Sequence, residues 1–584
     1  MILQALYDYA KRKGDELPED GFEDVEIKYL IKIREDGSLV DLISTEEINS
    51  SGKKQGHKYK KLPMRVARSG KTPKASLLLD NVGYVLLDDA KRESFISLIE
   101  NLPSEVKSTK EIKAVIAFYR QNKANGFDKI ASTELWEECQ KTTGYLSFVL
   151  MGEDEIVPQI ASVREYQRKV TAQKSAGEES SEENEIIKGI CLITGENAVV
   201  SRLHSATPII GSKSNAKLVG FQKNSGYDSY GKEQSYNAPV SVKAENAYTK
   251  ALNYLIKDER AKENRFRLGD DTIVFWAEKQ ESESFESDFS AFFTAYKEID
   301  DLDRNIRAVK NLFAAVQTGK YDKYGLDSHF YVLCLSPNAA RISVRFWETG
   351  KVETFAKRIK QHFEDFEIVR PSFDDKEYLN LYQILSATAL EYKMDNVAPN
   401  LIGSVMQSIL KELPYPTTLQ QQCIRRIRAE QKVTRERAAI LKAYINRLNR
   451  QKNIKEVSVA LDRTNENTGY LLGRLFAAFE KVQQESADTE LNSTITDRFY
   501  GAASTNPVTV FTQLMRLNRN HMSKLKSKNR GLQINRDKEI GEIMEKIDSF
   551  PAHLDLNEQS YFAIGYYHEK QSFFTKNEQT EGVN

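Results

Sequence analysis

Tyr415–Lys455, YPTTLQQQCIRRIRAEQKVTRERAAILKAYINRLNRQKNIK, reads as two consecutive helices. With successive residues turned by about 100°, Leu419, Cys423, Ile424 and Ile427 share one side of the first, with Arg425 and Arg428 on the other. Thr434 supplies an N-cap for the second. There Ile440, Leu441, Tyr444, Ile445 and Leu448 form the apolar stripe, and Arg435, Lys442, Asn446 and Arg450 are expected to face away. Helices with one apolar side and one cationic side suit a phosphate backbone. A solvated face is the simpler use of the same charges.

Working outward, helical periodicity runs from Val352 to the end of the chain, whereas strands and helices alternate before it. The fold class expected is α+β: a mixed N-terminal region with antiparallel strands, then an all-helical C-terminal bundle. A chain of 584 residues exceeds what one hydrophobic core ordinarily supports. Three regions are predicted: 1–175 and 186–394, both α+β, and 395–584, helical. The Glu/Ser-rich stretch Ala176–Asn184 has the composition of an exposed linker between the first two.

Near the N-terminus, Ile2–Lys13 is an amphipathic helix ending at Gly14. Val25, Ile27, Tyr29, Ile31 and Ile33 then alternate with largely polar residues, and Asp36-Gly37 supplies a hairpin turn. Ser51–Lys74 is Lys/Arg-rich with little periodicity and reads as a basic loop or ribbon. The block LLLDNVGYVLL, containing Asn81, follows it. Further strands are predicted at Tyr145–Met151, Thr272–Trp276 and Phe330–Leu335, with Ile342–Phe346 as hairpin partner of the last.

Lys+Arg and Asp+Glu each number 84, so the chain as a whole is not a polycation. Between Gln421 and Arg530, however, about twenty basic residues face about ten acidic ones. The four cysteines are far apart, which excludes a local zinc knuckle and a disulfide scaffold and fits a reducing compartment. No apolar run is long enough to span a bilayer, and a cytoplasmic protein is expected.

Catalytic patterns fail in turn. Ser69–Thr72, SGKT, lacks the first glycine of a phosphate loop, because Arg65 occupies its place, and Pro73 follows at once. The seven histidines form no metal-binding pair. Asp270-Asp271 with Glu278-Lys279 could be forced into a metal-nuclease pattern, but the spacing is wrong and the aspartates more simply cap a strand. No cofactor is expected, and no enzymatic activity. A stand-alone metal-dependent nuclease and a protein-only helical scaffold are the alternatives.

Binding chemistry recurs instead. In the first basic segment Lys53, Lys54, Arg65, Arg68, Lys71 and Lys74 accompany Asn81 and Tyr84, giving cations for phosphates and an amide for base edges. In Gly211–Ala238, small residues surround Lys213, Lys217, Lys223 and Lys232 with Tyr227, Tyr230 and Tyr236 as stacking rings. A third amphipathic helix, within Asn506–Arg530, carries Arg516, Arg519, Lys524, Lys526, Lys528 and Arg530.

The blocks MILQALYDYAKR, LLLDNVGYVLL, CLITGENAVVSRLHSATPIIG, SYGKEQSYNAPVS, YVLCLSPNAARISVRFW, LPYPTTLQQQCIRRIRAEQ and QSYFAIGYYHEKQSFF occur in that order. Together they resemble the large subunit of the type I-C CRISPR Cascade surveillance complex along essentially the whole chain. The resemblance implies a non-enzymatic subunit of an RNA-guided complex. Guide RNA would read most of the target, while this chain reads the short adjacent motif (PAM) in duplex DNA and helps to open it. It also implies backbone and small subunits as partners, a C-terminal bundle like the small subunit, and later recruitment of a helicase-nuclease. On that reading Asn81 belongs to the PAM region, and Lys213, Lys217, Arg425, Arg428, Arg435, Lys442, Arg450, Arg516, Arg519 and Lys524 hold strands. The block before Asp80-Asn81 departs from the family pattern, with Leu77–Leu79 where an aromatic is frequent.

Overall fold

The structure, a computed structural model, describes residues 1–48, 54–66, 68, 72–122, 127–176, 187–222, 230–293, 304–318, 327–374, 376–489 and 491–574. Lys53, Lys71, Lys223, Tyr227 and most of the acidic linker at 176–184 therefore lie outside the described residues. The fold is α+β, with sheets as far as Lys351 and helices through the C-terminal part. Two units are present, Met1–Ala261 with Pro337–Ser343, and Lys262–Ser336 with Val344–Asn584.

The first unit begins with helix α1 (Ile2–Lys13) and strands β1 (Phe22–Ile33), β2 (Leu39–Ser44), β3 (His57–Pro63) and β4 (Leu79–Asn81). Helix α2 (Lys110–Asn122), strand β5 (Tyr145–Leu150) and helix α3 (Val242–Lys257) complete its frame. The sheet order is β2-β1-β5-β4, with β3 also paired to β1. The predicted hairpin is present: β1 and β2 are antiparallel, and Gly37 turns the chain at φ +84°. A Cβ there would collide with the backbone of Phe118 on α2. The β1–β5 pair, by contrast, is parallel. The helical crossover containing α2 separates the two strands, and only a long connection brings two strands together in parallel.

Tyr29, Ile31 and Ile33 of β1 pack with Leu146, Phe148 and Leu150 of β5 and with Ile112, Val115 and Phe118 of α2. Val25, Ile27, Leu62, Leu79 and Val149 form a second apolar cluster. Val25 and Ile27 share the parity of Tyr29, Ile31 and Ile33 yet join the other cluster, because the β1–β5 register shifts between Ile27 and Tyr29 and turns the strand over.

In the second unit a four-stranded sheet runs β6 (Arg265–Leu268), β7 (Asp271–Ala277), β8 (His329–Asn338) and β9 (Arg341–Lys351). The tip of the β8–β9 hairpin, Pro337–Ser343, is counted with the first unit. Helices α4 (Val352–Phe366), α5 (Thr417–Glu430), α6 (Arg435–Gln451), α7 (Thr468–Ser486), α8 (Ile495–Ala503), α9 (Pro507–Lys528) and α10 (Leu556–Ser572) follow. One core joins Ile273, Phe275, Phe330 and Val332 of the sheet to Ile440, Leu441, Phe476 and Phe562 of the helices. The last strand ends at Lys351, and the helices that follow share one core with the sheet.

Helices α7 and α10 approach closely. Gly473 is the reason: a Cβ on it would strike the carbonyl oxygen of Phe562. A buried ion pair, Arg474 to Glu569 at 2.6 Å, lies across the same contact.

Candidate nucleic-acid interface

Helix α6 forms as its sequence predicts, with the Thr434 hydroxyl accepting from the Arg437 N–H. Its orientation differs from the expectation. Arg435, Lys442 and Asn446, expected to face away, are buried, as are Arg437 and Arg447. Helices α4, α5 and α10 all pack against α6, so little of its circumference meets water.

Each of these side chains has partners inside the protein. Arg435 donates to Asp374 at 2.9 Å and to the carbonyls of Lys376 and Glu377. Lys442 Nζ donates to the Asp365 carbonyl at 3.1 Å, and burial lowers its pKa. The Asn446 amide takes both the N–H and the C=O of Val457, at 2.7 and 2.9 Å. Arg450 is partly exposed but bridges Asp365 and Glu456, each at 2.8 Å. Arg435, Lys442 and Arg450 are thus corrected from strand contacts to internal ties. The physical cause is that loop carbonyls and buried carboxylates supply the acceptors that water would otherwise supply.

The neighbouring helices do present cations. Arg425 and Arg428 on α5 are exposed, with no partner among the described residues. Helix α9 contains Arg516, Arg519, Lys524, Lys526 and Lys528 and no acidic residue. Arg516, Arg519, Lys524 and Lys526 are exposed and unpaired among the described residues, whereas Lys528 pairs with Asp488 at 3.2 Å.

In the first unit the basic segment is more ordered than its composition suggested. His57–Pro63 is a strand along β1, exposing Lys58, Lys60 and Lys61. Lys54 sits exposed in a short ribbon, Lys54–Gln55 against Glu47–Ile48. Lysines on an edge strand discourage unwanted strand pairing, and they also suit phosphates.

Two predicted phosphate contacts have other work. Arg65 donates through Nε and Nη2 to both oxygens of Glu23, at 2.8 and 2.7 Å, and lies 4.5 Å from the Tyr145 ring centre. Burial opposes its charge, but the Glu23 carboxylate more than restores it and raises its pKa. Arg68 pairs with the buried Asp80, donates to the Lys74 carbonyl at 2.8 Å and stacks over Tyr84 at 3.9 Å. Both arginines are corrected from phosphate contacts to clamps, because a guanidinium fork already filled by a carboxylate has few donors left.

Those clamps hold the part that remains available. Lys74 is exposed, and no described residue pairs with its ammonium. Asn81 pairs with Tyr145 across the sheet, and its Oδ1 accepts from the N–H groups of Gly83 and Tyr84, at 3.1 and 3.4 Å. Its Nδ2 has no partner among the described residues, leaving a donor on a half-buried, fixed amide. Near the C-terminal end of α3 the fold adds residues that the sequence reading missed. Lys58 and Arg260 both reach Asp258, at 3.2 and 3.0 Å. Lys257, the last residue of α3, is exposed beside them. The alternation of HKYKKLP was the available signal for Lys58, Lys60 and Lys61. Nothing local to the sequence announces Lys257.

In the third predicted segment Lys213 is exposed and donates its N–H to the Ala339 carbonyl at 2.9 Å. Lys217 is half-buried, and desolvation lowers its pKa. The aspartates of the nuclease alternative sit at the β6–β7 turn, with Arg345 4.0 Å from Asp271. Among the described residues no group of three or more His, Cys, Asp or Glu side chains is placed to hold a metal ion. Nor is any described helix long and apolar enough to cross a membrane.

Residues 3–574 match the family described as CRISPR-associated protein (Cas_Csd1). The chain belongs to that family. No curated protein matches the chain. For a Cas_Csd1 member the unpaired cations of two units, rather than the charge of helix α6, are the surfaces to consider for nucleic acid.

Proposed function

We propose that this Cas_Csd1 protein is the non-catalytic large subunit of a type I-C RNA-guided interference complex. On this reading it recognises the PAM in duplex DNA, promotes strand separation and holds the displaced strand. Backbone and small subunits, guide RNA and a helicase-nuclease recruited after R-loop formation are its partners. The observation that carries the reading is the family match across nearly the whole chain, joined to an exposed Lys74 and the Asn81 amide, with Arg68 holding both the Lys74 carbonyl and Asp80.

In this mechanism Lys54, Lys60 and Lys74 contact duplex phosphates, which position without reading sequence. Asn81 Nδ2 donates to a base-edge acceptor in the adjacent motif. Exchange of a DNA duplex for an RNA–DNA duplex is close to balanced, so a few backbone contacts decide whether it proceeds. Arg425, Arg428, Arg516, Arg519, Lys524 and Lys526 then hold the released strand by charge.

The test is a reconstituted complex on duplexes differing only in the adjacent motif. Asn81→Ala is expected to erase most discrimination between motifs, and Lys54→Ala/Lys74→Ala to weaken all of them alike. Unchanged discrimination in Asn81→Ala would reduce that residue to its turn-capping role and defeat the assignment. Incubation of the purified chain with magnesium or manganese tests the nuclease alternative: cleavage abolished by Asp271→Ala would replace the present reading.

A further inference from the structure

A groove of about 520 Å³ opens in the first unit beside α1, the Gly14–Asp20 connection and α3. Its lining includes Lys11, Lys61, Lys243 and Lys250, together with Asp15. The charges fall into two groups. Lys250 is internally committed, donating to the carbonyls of Pro18 and Glu19 and to Asp20 at 3.0 Å. Glu19 is paired with Arg168 at 2.9 Å. Lys11, Lys61 and Lys243 are exposed and have no carboxylate partner among the described residues, and Asp15 has no cation. Three cations without a carboxylate partner, Lys11 among them lying 4.4 Å over the Tyr7 ring centre, therefore face one anion without a cation.

Lys61 is aimed there by the backbone. In the β1–β3 ladder Glu23 pairs with Leu62 and Val25 with Tyr59, so Lys60 and Lys61 together oppose Asp24. This is a β-bulge, which re-aims side chains at the cost of regular pairing. Lys61 takes φ +56°, a conformation disfavoured for a residue with a side chain, and its N–H is held by Asp24 Oδ1 at 3.1 Å. The fold thus fixes Lys61 out of register, and its side chain joins the groove lining.

We propose that this groove binds a single strand of RNA, with phosphates on Lys11, Lys61 and Lys243 and a ribose 2′-hydroxyl donating to Asp15. The inference rests on the reading of the chain as a nucleic-acid-binding subunit but uses a different surface from Lys74 and Asn81. The volume lies within the range of sites for compact ligands, roughly 300–1,000 Å³, which suits one or two nucleotides of a single strand and not a duplex. Lysine is a point-charge donor and tolerates any phosphate geometry. An unpaired carboxylate beside phosphate-binding lysines works against an all-anionic ligand such as an acidic peptide. It suits a ligand that brings hydroxyl donors, and the 2′-hydroxyl is the group that separates RNA from DNA.

The experiment measures anisotropy of a short fluorescent single-stranded RNA, and of DNA of the same sequence, on the full chain. Lys61→Glu/Lys243→Glu is expected to weaken RNA binding by at least about tenfold and to flatten the salt slope by roughly 0.7 per lost contact. Its melting temperature should be unchanged, since both side chains are exposed. Asp15→Asn should narrow the preference for RNA over DNA. Unchanged RNA affinity in the double variant overturns the proposal. So does equal binding of RNA and DNA by the unaltered chain, or stronger Lys61-dependent binding of polyglutamate than of RNA. Duplex recognition measured in parallel with Asn81→Ala separates this outcome from failure of the PAM reading.

Discussion

Arg447 donates through Nε to Asp365 Oδ2 at 2.7 Å, and neither side chain is more than marginally exposed. The same carboxylate accepts from Arg450 at 2.8 Å and from the Tyr415 hydroxyl at 3.4 Å. Arg447 also donates to the carbonyls of Ser408 and Leu413 and lies 4.2 Å from the Tyr415 ring centre. One aspartate at the end of α4 thus ties α6 to the segments before α5.

Removing that anion leaves a buried guanidinium without its counter-charge. Asp365→Asn is therefore expected to destabilise the protein by about 3–5 kcal/mol. Arg450→Ala should cost clearly less, because Arg450 is partly exposed and shares Glu456. Denaturant titration followed by circular dichroism checks the ranking. Equal effects of the two substitutions would contradict it.

The exposed cations of α5 and α9 should behave in the opposite way. Arg425→Ala/Arg428→Ala and Arg516→Ala/Arg519→Ala are each expected to change stability by less than about 0.5 kcal/mol. Each pair should lower affinity for single-stranded DNA and reduce its salt slope by roughly 0.7 per contact removed. Anisotropy titrations at several salt concentrations provide the measurement, and an unaltered slope removes that helix from the interface.

Close helix approach makes Gly473 intolerant. Gly473→Ala must push α10 away from α7, since the atom in the way is the backbone oxygen of Phe562 and not a mobile side chain. The expected loss is about 1–3 kcal/mol, the usual cost of overpacking. Gly501→Ala on α8 is the control, because its Cβ would enter open space. Thermal melts of both variants decide the point.

His362 and His568 are buried and neutral, each with its folded-state pKa lowered to about 3 by burial. The unfolded chain takes up those protons near pH 6.5, and the folded chain does so only near 3. Their contribution to stability is therefore complete above about pH 6.5 and is lost as pH falls, by at most about 1.4 kcal/mol per pH unit for each histidine. Glu569, whose pKa burial raises, acts in the opposite sense. The difference isolates one group: between pH 6.5 and 5, His362→Gln should lose less stability than the unaltered protein. Melting curves across that range measure it.

Much of this architecture is legible in the chain. The alternation of Val25 to Ile33, the Asp36-Gly37 turn, the Thr434 cap and the stripe from Leu419 to Ile427 follow from local periods and turn chemistry, and each is present. Arg425, Arg428, Arg516, Arg519 and Lys524 are on the surface, as the polar positions of their helices predict, and Lys54 and Lys74 are exposed in the basic segment.

What periodicity cannot supply is the medium that a polar face meets. Arg435, Lys442 and Asn446 occupy the polar side of an amphipathic helix, and their sequence pattern is the same whether that side meets water or protein. Only tertiary structure brings Asp374, Val457 and the Asp365 carbonyl to them. The same holds for Arg65 and Arg68, whose partners Glu23 and Asp80 are set by strand pairing, and for Lys61, turned by a bulge. Sequence determined the helices, the strands and where the cations occur. Tertiary packing decided which cations are neutralised inside, because a charge is satisfied by whatever acceptors the fold places within reach.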